Sequence, residues 1–384
     1  MSNNNNFYNE LTALPVTKLE IMEIEELHKA YILSRKHNRR SSDQVRFERN
    51  LYGNLLALCD AINRREYRPV SNYAFIHYRN KAREVFAAEV EMKIIQAYII
   101  MRLGNMIEDE LTPCTFNNRN GMGTYAAINK VMCDMNEESM VSDDVWVIKW
   151  DLKGYFPNIN QDISYNKIMA ILDRYKGDDK EDLQYLIMQT VYCNPQFNSK
   201  RVSQLWEWNY IAPYKSLFSK RHGIGAAIGF LFWQIMSNLY LNDIDKYITE
   251  NICEQYTRFV DDCVCVTDDK EKVLQFFQDL RTMYGTIGVT MHPHKFYCQQ
   301  VSKGLEFLGY HLHKDRLHLN RKIYVRANNL ISKRIPNLQH ALCALNSYAG
   351  MMKMANDKPL LMKYFSTIHD KRLKIDYINL KICA

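Results

Sequence analysis

Two adjacent acids inside an apolar stretch constrain the fold of this chain more than any other feature. The segment YTRFVDDCVCVTDD, residues 256–269, places Asp261–Asp262 between two short apolar runs with strand-like composition. Such runs predict a hairpin, although a glycine would be favoured at the second position of its turn. Carboxylates beside apolar strands are costly unless they are neutralised. We therefore expect a divalent cation to bind at Asp261–Asp262.

A second acidic pair, Asp268–Asp269, closes the same segment. It precedes a run whose apolar residues have helical spacing: Val273, Phe276, Phe277 and Leu280. Acids are favoured at the N-cap and in the first turn of a helix, where backbone N–H groups lack partners. We interpret this second pair as a helix cap rather than as a chemical site.

A third acid lies near the end of another strand-like run. The segment VWVIKWDLKGYFPNI, residues 145–159, reaches Asp151 and then breaks at Gly154 and Pro157. Magnesium prefers hard oxygen ligands, usually one or two carboxylates together with phosphate oxygens. Asp151 is therefore the candidate that completes a metal site with Asp261–Asp262.

One long segment carries no charge at all. Residues 224–241, IGAAIGFLFWQIMSNLYL, match a membrane helix in length. Gln234, Asn238 and Asn242, however, recur at every fourth position and would line one face of a helix with amides. A buried helix that contacts something polar is the favoured interpretation, and membrane insertion is the alternative.

Composition adds less than these motifs do. The 384 residues are 47% hydrophobic and 24% charged, which is typical of a globular protein with two or three subdomains, and the net charge of +7 is modest. Two local runs are strongly basic: SRKHNRR at 34–40, and 295–334 with nine Lys or Arg against two acids. Each is either a solvated face or a surface for phosphates. The ten cysteines lack CxxC spacing, and with no signal peptide they predict reduced thiols in a cytoplasmic protein.

A strand ending in an acid, an amide-bearing helix and a hairpin with two acids follow one another in nucleic-acid polymerase palms. DLKGYFPNI (151–159), IGFLFWQ (228–234), FVDD (259–262) and FLGYHLH (307–313) resemble, in order, motifs of prokaryotic reverse transcriptases. That group includes group II intron, retron, diversity-generating and defence-associated enzymes. The resemblance covers roughly residues 25–355. It implies an α+β right-hand polymerase fold with fingers, a palm of antiparallel sheet plus helices, and a helical thumb.

The resemblance also implies a division of the chain into subdomains. The expected boundaries are 1–70 for an N-terminal helical extension, 71–140 for the fingers, 141–310 for the palm with a fingers insertion at about 161–220, and 311–384 for the thumb and C-terminal helices.

Functional residues carry over position by position from the matching motifs. Two Mg²⁺ ions, with Mn²⁺ as a substitute, would be held by the catalytic acids Asp151, Asp261 and Asp262 together with Leu152. The residues implied for dNTP binding are Lys81, Arg83, Phe156, Gln234 and Lys295. The residues implied for the primer grip are Phe307, Leu308, Gly309 and Tyr310. Phe156 stands where the family places an aromatic gate against the ribose 2′-hydroxyl, and an ordinary core residue is the alternative.

Four departures from the family pattern stand out. Phe259 replaces the usual tyrosine before the acid pair, and Trp233 stands where diversity-generating enzymes carry serine. Met122 replaces a lysine, and Glu91–Met92 replaces an Asp-Arg pair. Trp233 and Met122 weaken a direct assignment to the diversity-generating subgroup.

The implied function is RNA-templated DNA synthesis on a partner noncoding RNA, with dNTPs as substrates and DNA as product. Docking of that RNA is expected on the basic residues Arg35, Lys36, Arg39 and Arg40. A role in bacterial antiphage defence is favoured over a diversity-generating role. Alternatives of another class are an RNA-dependent RNA polymerase and a catalytically silent RNA-binding scaffold. An accessory protein or a homo-oligomer stays open, and no membrane association is expected.

Overall fold

The computed structural model describes most of the chain: residues 22–36, 41–78, 81–332, 338–355, 357–368, 373–377 and 379–383. These residues form two compact units. The first comprises the described residues up to Leu111 together with Phe156–Tyr240, and the second comprises Thr112–Tyr155 together with the described residues from Leu241 onward. The subdomain boundaries expected from the sequence stay a prediction.

The first unit is mainly helical. Its helices are α1 (Ile24–Arg35), α2 (Ser42–Glu48), α3 (Leu51–Asn63), α4 (Val90–Glu110), α6 (Tyr155–Asn158), α7 (Gln161–Leu172) and α8 (Lys180–Val191). Its strands are β1 (Ser71–Tyr78), β2 (Ala82–Ala88) and β4 (Lys200–Arg201), and single 3₁₀ turns are at Pro195–Phe197, Leu205–Tyr210, Pro213–Lys215 and Leu217–Ser219. The strands form one sheet in the order β2–β1–β4, with β1 antiparallel to β2 and parallel to β4.

Local sequence explains the helix ends of this unit. The Ser41 hydroxyl accepts from the backbone N–H of Gln44 at the start of α2, and the Asn160 amide oxygen accepts from the N–H groups of Asp162 and Ile163 at the start of α7. Helix α4 is buried along much of its length and supplies apolar side chains to the core of this unit.

The second unit contains the remaining elements. They are α5 (Thr124–Val141), β3 (Trp146–Leu152), β5 (Tyr256–Phe259), β6 (Asp262–Thr267), α10 (Lys270–Gln275), α11 (Phe277–Thr286), β7 (Met291–Gln300), β8 (Leu305–Phe307), β9 (Tyr310–Leu312), β10 (Leu317–Leu319), α12 (Arg321–Ser332), α13 (Leu338–Met354), α14 (Lys358–Ser366), β11 (Lys374–Asp376) and β12 (Lys381–Cys383), with a 3₁₀ turn at Val301–Lys303. Helix α9 (Leu231–Asn251) belongs to both units, since the division falls after Tyr240, and α6 begins with Tyr155 of the second unit.

Only the second part of the uncharged segment 224–241 is helical. The helix begins at Leu231, seven residues later than expected, and it continues beyond the segment to Asn251. Gly225 and Gly229 have φ of +105° and +114°, a left-handed conformation that a helix cannot contain. A Cβ on Gly229 would lie 2.2 Å from the carbonyl oxygen of Phe86, so this turn must pass close to β2.

The central sheet of the second unit has four antiparallel strands in the order β5–β6–β3–β7. Strand β6 buries Cys263, Val264, Cys265 and Val266 in succession, so both of its faces are covered. The hairpin expected around Asp261–Asp262 is confirmed as β5 and β6. The α+β class is also confirmed, with the antiparallel sheet and flanking helices of a polymerase palm.

One large apolar cluster of the second unit lies between its sheets and helices. It is formed by buried side chains from α5, β3, β6, the β8–β10 sheet and the helices α12–α14. Asp269 caps α10 through its carboxylate, which accepts from the N–H of Lys272 at 3.0 Å, so the expected capping role is confirmed. All ten cysteines are free thiols, as the sequence predicts. No helix among the described residues has both the length and the apolar character needed to cross a bilayer.

Candidate active site

The three acids predicted from the sequence lie at one end of the four-stranded sheet. Asp151 on β3 and Asp262 on β6 are direct cross-strand partners. Asp261 occupies the turn between β5 and β6, and its carbonyl oxygen accepts from the N–H of Leu152 at 3.1 Å. Since cross-strand partners have neighbouring side chains, this register brings the carboxylates together.

Negative charge is concentrated at this position. Burial, and then the carboxylates of Asp262 and Asp151, raise the pKa of Asp261 to about 7. Two lysines oppose that charge. Lys295 Nζ, on β7, bonds to Asp151 Oδ2, and Lys149 Nζ, on β3, lies 3.2 Å from Asp262 Oδ1.

The acids are suited to a divalent cation by their chemistry. Among the described residues, no group of three or more His, Cys, Asp or Glu side chains is arranged so that it could hold a metal ion on its own. Magnesium usually takes one or two carboxylates and completes its shell with water and phosphate oxygens. Three mutually repelling carboxylates, one of them with a pKa near 7, form the kind of cluster that added positive charge would stabilise.

The turn that carries the acids has an unusual backbone conformation. Val260 has a φ of +60°, which is rare for a β-branched residue. Its N–H donates to Asn117 Oδ1 at 2.9 Å, and its carbonyl oxygen accepts from Arg258 Nη1 at 3.1 Å. These two bonds offset the strain of the turn and fix the position of Asp261 beside Asp151.

Arg258 is itself held by a buried ion pair. Its Nη2 lies 2.5 Å from Asp245 Oδ2 and its Nε lies 2.8 Å from Asp245 Oδ1, and both side chains are buried. Tyr256 also donates to Asp245 Oδ1, at 3.1 Å. The sequence analysis missed this pair. The signal in the sequence was an arginine inside an otherwise apolar strand, YTRFV.

Lys149 is a second residue that the sequence analysis missed. Besides its contact with Asp262, its Nζ donates to the carbonyl oxygen of Glu306 at 3.1 Å and lies 5.4 Å from the centre of the Phe307 ring. It therefore connects the acid pair with the hairpin of β8 and β9. The signal was again a cation within an apolar run, VWVIKW.

The expected primer-grip residues do form a hairpin. Phe307 and Tyr310 are buried cross-strand partners on β8 and β9. Leu308 and Gly309 make the turn between them with φ of +48° and +92°. The φ of +92° explains the glycine, since a side chain at this position would be strained. Contact of this hairpin with a primer stays a prediction.

The other residues predicted to bind dNTPs lie in the first unit. Phe156 is half-buried in α6, and its carbonyl oxygen accepts from the N–H of Ala226 at 2.9 Å. Gln234 is half-buried in the first turn of α9. Lys81 is exposed before β2, and Arg83 is exposed on β2 opposite His77. Their contacts with a nucleotide stay predictions.

Trp233, the departure from the family's serine, is buried next to Gln234. Its ring packs edge-on against Phe232, with the ring centres 5.6 Å apart. Its Nε1 has no hydrogen-bond partner among the residues that the structure describes. The indole is therefore a core residue with one unsatisfied polar atom.

The basic residues expected to dock RNA have different surroundings. Arg35 Nε lies 2.6 Å from Glu48 Oε1, and this contact, before others, lowers the pKa of Glu48 to about 2. Lys36 is exposed at the end of α1. Arg39 and Arg40 lie outside the described residues, as does Arg334 at the end of the second basic run.

A sequence model described as reverse transcriptase (RNA-dependent DNA polymerase) matches residues 76–312. The match includes all three acids, the β5–β6 hairpin and the β8–β9 turn. This chain belongs to the reverse transcriptase family. No curated protein matches the sequence of this reverse transcriptase.

Among the solved structures that this chain is similar to are three of telomerase. Apo telomerase from Candida tropicalis has a TM-score of 0.47 and 11% identity, over 78% of this chain and 56% of that chain. The same telomerase truncated from its C-terminal domain has a TM-score of 0.45 and 13% identity, over 65% and 55%. Telomerase from Candida albicans in complex with a TWJ fragment of telomeric RNA has a TM-score of 0.46 and 10% identity, over 78% and 60%. The reverse transcriptase spans between 55% and 60% of the length of these chains.

Proposed function

We propose that this reverse transcriptase is an RNA-templated DNA polymerase with Asp151, Asp261 and Asp262 as its catalytic acids. One observation carries the proposal. The register of β3 with β6 pairs Asp151 with Asp262, and the strained turn at Val260 adds Asp261 to them. A cluster of repelling carboxylates is unfavourable for folding alone, so its retention favours a role in binding cations.

Divalent metals are general in this family, and we propose two Mg²⁺ ions, with Mn²⁺ able to substitute. Asp151, Asp261, Asp262 and the backbone of Leu152 would hold them. When bound, such ions lower the pKa of an attacking hydroxyl and stabilise the departing pyrophosphate.

Lys295 is the proposed proton donor to the leaving pyrophosphate. Burial would lower the pKa of Lys295, but its bond to Asp151 and the charges of Asp151, Asp261 and Asp262 together outweigh burial and raise that pKa above the ordinary value. The side chain is therefore an ammonium at neutral pH, which is the state that a general acid needs.

Substrate recognition follows from the family resemblance. We propose that Lys81 and Arg83 bind the triphosphate, that Gln234 contacts the incoming nucleotide and template, and that Phe156 excludes the ribose 2′-hydroxyl. Exclusion at Phe156 distinguishes this proposal from an RNA-dependent RNA polymerase, which would share the acids.

A partner noncoding RNA is the proposed template, with bacterial antiphage defence as the biological role and the cytoplasm as the location. The Trp233 and Met122 departures favour defence over a diversity-generating role. The experiment is to purify the protein from its host and sequence the nucleic acid bound to it. A single structured RNA with complementary DNA supports the proposal. RNA without complementary DNA would favour a silent RNA-binding scaffold.

A further inference from the structure

Three aromatic side chains of the first unit lie together on its surface, and the proposed chemistry does not use them. Tyr78 at the end of β1 is 50% exposed, and Trp206 and Tyr210 in the 3₁₀ turn Leu205–Tyr210 are 58% and 64% exposed. Aromatic rings of this size are normally buried, so three exposed neighbours need an explanation. We call Tyr78, Trp206 and Tyr210 the aromatic platform.

The platform rings meet edge to face. Tyr210 lies 6.1 Å from Tyr78 and 6.0 Å from Trp206 between ring centres, with interplanar angles of 78° and 79°. Because an edge-on contact covers little of either ring, this arrangement leaves aromatic area open to solvent. Open ring faces on adjacent residues are what a stacking surface for planar groups needs.

The platform stands on a rigid base. The carboxylate of Glu84, on β2, is buried and accepts from Trp208 Nε1 at 3.1 Å, Ser216 Oγ at 2.6 Å and the N–H of Leu217 at 2.7 Å. These bonds hold Trp208 and the end of the segment 205–217 to the sheet. Trp208 is therefore buried, while Trp206 and Tyr210, two residues to either side, remain on the surface.

The segment that carries Trp206 and Tyr210 is rich in cations. The segment 197–222 carries five cations against one acid, Glu207; the cations are Lys200, Arg201, Lys215, Lys220 and Arg221. The Glu207 carboxylate accepts from the N–H of Gln204 at 2.7 Å, and it also faces Tyr78, whose pKa is raised by burial and then by Glu207. This excess of cations favours a polyanion as the binding partner, rather than a protein surface with few acids.

We propose that the aromatic platform binds unpaired RNA, with bases stacked on Tyr78, Trp206 and Tyr210 and phosphates neutralised by cations of the segment 197–222. Exposed aromatic rings among basic residues are the combination that single-stranded nucleic acid requires, because every base offers a π-face and every linkage a negative charge. Duplex RNA would bind poorly, since its bases are already stacked. The platform includes none of the catalytic acids, and the proposed binding does not depend on polymerisation.

The test uses the whole chain and a short probe. Anisotropy of a fluorescent oligouridine of roughly eight nucleotides, within the range that one single-strand site covers, reports the affinity. Trp206→Ala/Tyr210→Ala is expected to weaken binding about tenfold or more. Trp206→Phe/Tyr210→Phe keeps the rings and should restore binding. Trp206→Leu/Tyr210→Leu keeps apolar area without stacking and should not.

A matched control variant and a crosslinking experiment show where the RNA probe binds. Tyr377→Ala removes a tyrosine of the second unit that is 57% exposed and also lies edge-on to a ring, Phe365, and it should leave the affinity unchanged. Ultraviolet crosslinking of the probe followed by trypsin should label the fragment 202–215, which lies between Arg201 and Lys215 and contains Trp206 and Tyr210.

The outcomes separate this inference from the proposed function. Unchanged affinity of the Ala variant for the probe, or full binding by the Leu variant, would contradict the proposal that the aromatic platform binds RNA. So would a change in oligomeric mass of the Ala variant without loss of RNA, which would make the surface a contact between copies. Asp261→Asn/Asp262→Asn protein should bind the probe at least as tightly as wild type, so a failure of the polymerase proposal leaves this measurement intact.

Discussion

Arg258 and Asp245 form a buried ion pair, 2.5 Å between Nη2 and Oδ2, directly behind the turn that carries Asp261. The pair joins helix α9 to strand β5, and Arg258 also donates to the carbonyl oxygen of Val260. It thereby links the core of the second unit to the position of a candidate catalytic acid.

Removing one member of this pair should destabilise the protein. Asp245→Leu or Arg258→Met alone leaves a buried charge without its partner, which costs about 3–5 kcal/mol. The double variant Arg258→Met/Asp245→Leu should recover most of the free energy of unfolding in urea titrations. It should not recover DNA synthesis, because the carbonyl oxygen of Val260 still lacks the hydrogen bond that Arg258 donates to it. Recovery of stability and activity together would show that Arg258 has no positioning role.

Phe156→Ala should admit ribonucleotides. Removing the ring lowers the proposed wall beside the sugar C2′, so incorporation of ATP should rise relative to dATP. The measurement is the ratio of kcat/KM for the two nucleotides on one RNA template. Wild-type enzyme that uses ATP and dATP equally would reject the gate and revive an RNA polymerase.

The N-terminal basic run should matter for the cognate RNA more than for a simple template. Neutralising Lys36, Arg39 and Arg40 should impair synthesis on the copurified RNA far more than on an oligonucleotide, and each lost phosphate contact should reduce the salt slope by about one. Arg35 is changed in a separate variant, because its ion pair with Glu48 holds α1 to α2. Primer extension on both templates over a salt series is the assay. If the variant loses the same fraction of DNA synthesis on both templates, the basic run does not dock the cognate RNA and is only a solvated surface.

Local sequence predicted the elements whose signals lie within a few residues. The apolar runs around Asp261–Asp262 specify the β5–β6 hairpin, and Asp269 precedes α10 at the position of an N-cap. Each of these depends on side chains and backbone within one element or one turn.

Contacts between distant residues were beyond the reach of sequence reasoning. Helix α9 begins at Leu231 because Gly229 approaches the carbonyl of Phe86, which is far away in the chain. Lys149 lies between Asp262 and Glu306 only because β3 is central in the sheet. The arginine in YTRFV could have been flagged, but its partner on α9 could not.

Primer extension with dNTPs and Mg²⁺ on an RNA template tests the central claim most directly. Wild-type protein should synthesise DNA, and Asp261→Asn/Asp262→Asn should abolish synthesis while the protein still folds, since the change relieves repulsion. Asp268→Asn/Asp269→Ala is the matched control. It should cost roughly 1 kcal/mol of stability through the lost cap and keep most of the activity. Synthesis that survives in the Asp261/Asp262 variant and is lost in the Asp268/Asp269 variant would contradict the account.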